Sequence, residues 1–202
     1  LFTLGLDSLV SLKRISTYLD KPEKQTIITV GAVISFDNAS ISWPTDGKAP
    51  EQEKFVLDNL HLSFPDHALS IVSGKVGTGK TLLLSAILGE ADLLQGSIRV
   101  PKAMNFENNT TDDWIIPGSI AYVSQTPWLE NRSFRNNILF GLPLHQTRYN
   151  KVLEACALLE DLASLPDGDN TELGPNGINL SGGQKWRITL ARAVYSQAGI
   201  LL

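Results

Sequence analysis

The segment GKVGTGKT at Gly74–Thr81 sets glycines, one lysine and one hydroxyl in the spacing G-x-x-x-x-G-K-[ST]. The chemistry of that spacing is phosphate recognition. Glycines at 74, 77 and 79 let backbone N–H groups turn inward around an anion with no Cβ in the way. Lys80 can then reach the β- and γ-phosphates of a nucleoside triphosphate, and the Thr81 hydroxyl can ligate Mg²⁺. Val76, Thr78 and Leu82 belong to the same phosphate-binding stretch. The rival reading is a chance glycine-rich turn. A second segment, LSGGQ at Leu180–Gln184, places Ser181 and the amides of Gly182 and Gly183 where a helix begins, another position that can hold an anion. A second anion site on a chain that already carries one points to a nucleotide held by another subunit.

These residues need elements to position them. An apolar run, Ala68–Val72, reads as the strand that leads into the phosphate loop, and Thr81–Leu88 reads as the helix that leaves it. This strand–turn–helix context is what the motif demands. Further strands are expected at Ala32–Phe36, Ser40–Trp43, Phe55–Phe64, Ser97–Val100, Ile120–Val123 and, beginning, Ala198–Leu202. Polar Thr45–Lys54 reads as a long hairpin loop, and Lys102–Pro117 as a polar surface insertion. Helical spacing marks Arg148–Leu162 and Lys185–Ser196. It also marks the N-terminal run Phe2, Leu6, Leu9, Leu12, Ile15 and Leu19, which Pro22 stops. Strand, loop, helix and later strands imply a parallel core sheet. The early hairpins imply an antiparallel wing, and the helices before LSGGQ a lobe of their own.

With 202 residues, 43% of them hydrophobic and 19% charged, the chain has the composition of one globular domain with a small appendage. A net charge of −4 gives no support to a nucleic-acid binder. The single cysteine, Cys156, lies in an apolar run and reads as a buried, inert thiol. No uninterrupted apolar stretch has the length of a membrane span. The chain does not begin with Met and reads as a fragment.

Four longer stretches carry a family resemblance: SLKRISTYLDKPE from Ser11, GKVGTGKTLLLSAILGE from Gly74, GSIAYVSQTPWLENRSFRNNILFG from Gly118 and ELGPNGINLSGGQKWRITLARAVY from Glu172. Together they cover most of the chain. They resemble the nucleotide-binding domain of ABC transporters, above all the first such domain of subfamily C, the multidrug-resistance-associated group. The resemblance implies an α/β P-loop NTPase core with an antiparallel β wing and a helical signature lobe, truncated before the Walker B carboxylates. It implies ATP and Mg²⁺ as cofactors. Residues 1–26 would be the helix and linker from a preceding transmembrane domain, and 27–202 the nucleotide-binding domain.

Roles follow for matching positions. Trp43 would stack on adenine. Gln125, in YVSQ, would touch Mg²⁺ and act with Lys80 in catalysis. Ser181, Gly182, Gly183 and Gln184 would complete the ATP site of a second nucleotide-binding domain. Glu172–Gly177 would help couple to the transmembrane domains of the same transporter. Without the resemblance, Trp43 reads as packing and Gln125 as a solvated loop residue; Trp128 reads as packing with it. Pro175 and Trp186 depart from the family pattern. The implied activity of the full-length protein is ATP hydrolysis coupled to export of organic anions or conjugates, with this domain on the cytoplasmic face of a membrane. The fragment alone is expected to be inactive. Two alternatives stand beside this reading: an ATP-regulated channel or receptor subunit of subfamily C, and a soluble ABC ATPase acting on ribosomes or DNA.

Overall fold

A computed structural model describes residues 2–20, 27–44, 54–103 and 115–202. The linker 21–26, most of the hairpin loop and the centre of the 102–117 insertion lie outside the described residues. Among the described residues there are two sheets. The larger has the order β1-β4-β2-β3, with β1 (Ile28–Val30), β2 (Ser35–Ser42), β3 (Val56–Ser63) and β4 (Asp92–Val100). β2 runs antiparallel to both β3 and β4, while β1 runs parallel to β4. The smaller sheet pairs β5 (Ile116–Ala121) with β6 (Ala198–Leu201) in parallel.

The two runs Ala32–Phe36 and Ser40–Trp43 are not separate strands but parts of one. Between them Asn38 takes φ +47° and forms a bulge, not a turn. Pairing jumps there from Asp37↔Ser97 to Ser40↔Gln95. Opposite the bulge stands Gly96, at φ +79°. A Cβ on Gly96 would lie 2.2 Å from the Asn38 carbonyl oxygen, so only glycine fits this approach.

The strand expected at Ala68–Val72 is not formed. Leu69 and Ile71 are 90% and 81% exposed, and none of the described strands pairs with the segment. A strand exists by its ladder. The apolar run signals a residue set suited to a sheet, but supplies no neighbour. The parallel pairs among the described residues are therefore β1·β4 and β5·β6, and neither includes the segment before the P-loop.

Two cores follow. In the first, α2 (Lys80–Ile87) lays Leu82, Leu83, Ala86 and Ile87 against Phe36, Ala39, Ile41 and Ile98 of the larger sheet. The helix ends at Leu88 with Gly89 at φ +77°. Gly89 N–H donates to the Ala86 carbonyl and Glu90 N–H to that of Ser85, which satisfies two of the last orphan carbonyls. The second core is helical and joins α3 (Phe134–Leu139), α4 (Gln146–Ala155) and α6 (Gly182–Tyr195) around Phe134, Ile138, Tyr149, Val152, Ile188 and Tyr195. The run read as one helix, Arg148–Leu162, is two: α4, and α5 (Leu159–Ala163), broken where Ala157 takes φ +51°.

α1 (Phe2–Leu19) presents Leu9, Leu12, Ile15 and Leu19 to solvent. No helix among the described residues is long and apolar enough to cross a membrane.

Candidate nucleotide site

The P-loop leads into α2 through two left-handed glycines, Gly77 at φ +84° and Gly79 at φ +87°. Gly79 is the N-cap of α2. A Cβ at Gly79 would lie 2.8 Å from Phe55 Cε1 and 2.9 Å from Leu57 Cδ2, so the glycine is required by contact as well as by conformation. At Gly74 a Cβ would meet the Thr78 hydroxyl at 2.9 Å. That hydroxyl donates to the Lys75 carbonyl at 2.8 Å. The Lys80 ammonium folds back into the loop and donates to the carbonyls of Gly74 (2.9 Å) and Lys75 (2.8 Å). Val76 and Thr78 are exposed in the loop, Thr81 is exposed on the first turn of α2, and Leu82 is fully buried beneath it. Helix-start amides with no intrahelical acceptor, left-handed glycines and a loop-bound ammonium together make a cradle that fits phosphate.

Trp43 directly follows β2 and is 44% exposed. The register Ser42↔Val56 puts it at the same end of the sheet as Phe55, whose ring reaches Gly79. The sequence reading missed Phe55. Its position against the loop depends on β2–β3 pairing, and no local motif announces it.

Gln125 follows β5, whose ladder is extended by Val123 N–H donating to the Leu202 carbonyl at 2.8 Å. Gln125 is exposed, and the Ser124 hydroxyl closes the turn on the Thr126 carbonyl at 2.6 Å. Just beyond, Arg192 of α6 clasps this segment. Its guanidinium donates to the carbonyls of Trp128 (3.1 Å) and Asn137 (2.8 Å) and lies over the rings of Trp128 and Phe140. Burial pulls the Arg192 pKa below the ordinary arginine value. Buried Asn137 donates to the carbonyls of Glu130, Arg132 and Ser133, fixing the same stretch.

The signature opens α6. Ser181 is its N-cap: the Ser181 hydroxyl accepts from Gln184 N–H, and the Gln184 amide oxygen accepts from Ser181 N–H at 2.8 Å, a complete capping box. Gly182 and Gly183 occupy the first turn. A Cβ at Gly182 would meet nothing within 4 Å, and at Gly183 only Arg187 Nη1 at 3.6 Å. Neither glycine has a positive φ. Nothing described within the chain requires glycine at either place. The loop before the signature is pinned to α3 by Arg135, which donates to both Asp169 oxygens at 2.8 Å. Among the described residues, the side-chain bonds of Ser181 and Gln184 stay in the helical body, none going to the P-loop.

No group of three or more His, Cys, Asp or Glu suited to a metal occurs among the described residues. Of the two residues named for Mg²⁺, Thr81 lies exposed on the first turn of α2 and Gln125 lies exposed in the turn after β5, and neither is a carboxylate, the side chain that Mg²⁺ usually takes beside phosphate oxygens and water.

A family model for ABC transporters matches residues 57–202. The chain belongs to the ABC transporter family. It is 42% identical over 202 residues to a pleiotropic ABC efflux transporter of multiple drugs, YBT1, of Candida glabrata, covering 98% of this chain and 12% of that protein. It is 42% identical over 199 residues to ATP-binding cassette sub-family C member 3 of Rattus norvegicus, covering 96% and 12%. Against the ATP-dependent bile acid permease of Saccharomyces cerevisiae it is 42% identical over 198 residues, again covering 96% and 12%. The chain thus spans about an eighth of the length of these relatives.

Proposed function

We propose that this chain is the ATP-binding domain of a membrane exporter of the sub-family C type, in which ATP binding and hydrolysis drive transport of organic anions or conjugates. The observation that carries the reading is the coexistence of two sites of opposite construction. The P-loop is folded around its own lysine. The signature helix presents Ser181 as its cap and then Gly182 and Gly183 on an open first turn, two positions where alanine would make a better helix. Glycine there serves something that approaches from outside the chain.

In this reading, Gly74–Leu82 and Lys80 hold the phosphates, Trp43 faces the adenine, and Thr81 with Gln125 would hold Mg²⁺, which would supply neutralising charge to the phosphate oxygens. Lys80 exchanges its two carbonyl partners for phosphate oxygens, offsetting charge as water attacks the γ-phosphate. Ser181–Gln184 closes over the nucleotide of a second ATP-binding domain. β2–β4 serves as the antiparallel wing and α3–α6 as the signature lobe. Residues 1–26 lead from a transmembrane domain and 27–202 form the nucleotide-binding domain, on the cytoplasmic face. The names of the relatives, drug efflux and bile acid permeation, support the substrate class.

Membrane vesicles containing the full-length protein test the reading. Uptake of a labelled organic-anion conjugate is expected only with ATP, and Lys80→Ala is expected to lose azido-ATP labelling of its own site and most of the uptake. Uptake that proceeds without ATP, or is untouched by Lys80→Ala, refutes it.

A further inference from the structure

Beyond its capping box, the first turn of α6 has little of its own to hold it. Gly182 and Gly183 bring no side chains, and the turn before them leaves Ile178 74% exposed. Helix ends of this kind fray. Yet a turn that must meet a phosphate needs fixed amides.

The brace comes from α5. Asp161, its side chain only 13% exposed, accepts from Arg187 Nε at 2.9 Å and Nη2 at 2.6 Å, and from Gln184 Nε2 at 3.2 Å. Gln184 passes the constraint on through its amide oxygen, which accepts from Ser181 N–H at 2.8 Å. Both ends of the Gln184 amide are therefore committed inside the chain. Asp161 is itself anchored. The N-cap of α5 is fully buried Leu158, whose N–H donates to the Leu153 carbonyl in the helical core. The Nε–Nη2 edge of the Arg187 guanidinium converges on one carboxylate oxygen, Asp161 Oδ2, and Nη1 is left beside Gly183. A carboxylate this close to an anion site would repel a phosphate. Paired with Arg187, its charge is balanced while its position is kept.

We propose that Asp161 is the positioning residue of the signature turn, acting through Gln184 and Arg187 to set the amides of Gly182 and Gly183. The inference rests on the reading of LSGGQ as the element that meets a partner domain's ATP.

The test uses the full-length transporter, with azido-ATP labelling of the Lys80 site and ATP turnover measured together. Asp161→Asn, which keeps size and loses charge, is expected to lower turnover per labelled molecule by about tenfold or more, the scale of a misplaced reactive group. Lys80-site labelling should stay within about twofold. Arg187→Gln should behave alike, the double variant should be no worse than either single one, and Asp161→Glu should restore much of the loss, since it returns the carboxylate. Labelling, folded yield and turnover falling in parallel would show a purely structural role and overturn the proposal. So would normal turnover in Asp161→Asn beside a dead Gly183→Asp, which leaves the signature reading intact. Normal turnover in Gly183→Asp would instead overturn the signature reading itself.

Discussion

Lys80 illustrates how one side chain can serve two states. Its ammonium donates to the Gly74 and Lys75 carbonyls, so without phosphate it is part of the loop's own structure. With phosphate present it must trade those bonds for charge-assisted ones, worth about twice a neutral hydrogen bond. Lys80→Ala is thus expected to weaken ATP affinity by tenfold or more, about 1.4 kcal/mol per factor of ten. Calorimetric titration of the chain with ATP checks this, and equal affinity in the two proteins would contradict it. Gly79→Ala should fail differently. It needs a left-handed alanine and drives a Cβ into Phe55 and Leu57, so it should destabilise the fold by about 1–3 kcal/mol. A urea midpoint unchanged from wild type would count against that packing. The sequence motif made Gly79 legible as a phosphate residue. It could not show that Phe55 and Leu57 press on it, because that contact depends on which strand lies beneath the loop.

At the scale of elements, local rules and neighbours divide the work. α6 begins at Gly182, three residues before the Lys185 start expected from periodicity, because the S-x-x-Q capping box from Ser181 to Gln184 nucleates it. The sequence places Ser181 and the two glycines where a helix begins, as observed, while apolar periodicity alone marks the helix only from Lys185. Ser181→Ala should cost about 1 kcal/mol in stability through loss of the cap. It should also weaken the signature, and Ser181→Asn or Ser181→Asp, good caps with different oxygens, separates the two effects. If both restore stability and turnover alike, the hydroxyl has no role beyond capping. The break between α4 and α5 was not legible, since Ala157 carries no glycine or proline signal for its left-handed backbone. Nor was the missing strand at Ala68–Val72, where a correct apolar pattern met no partner among the described strands.

At the scale of the whole molecule, the described residues gather into two separate cores, the sheet with α2 and the helices around Tyr149 and Tyr195. The order of strand and helix runs implied a helical lobe of its own, whereas composition pointed only to one globular domain with a small appendage. The consequence for stability lies in the helical body, which buries two weak acids. Burial pushes the Cys156 thiol above its ordinary range, and burial likewise raises the Tyr149 phenol, whose oxygen lies enclosed beside the Arg135–Asp169 pair. Raised values mean that the folded state keeps its protons longer than the unfolded chain. Their contribution to stability is therefore complete below the ordinary thiol value of about 8.5 and is lost as pH rises above it, with the phenol following above about 10. The urea midpoint should accordingly fall as pH climbs from neutrality into that window. Cys156→Ala should be less stable at neutral pH, for want of the thiol's packing, but should lose less on going alkaline, so the gap between the two proteins should narrow with pH. The thiol should also alkylate slowly in the folded protein and fast in urea. A gap that widens with pH, or a folded chain whose Cys156 reacts as quickly as a free thiol, would mean that this residue is not held protonated inside the helical core.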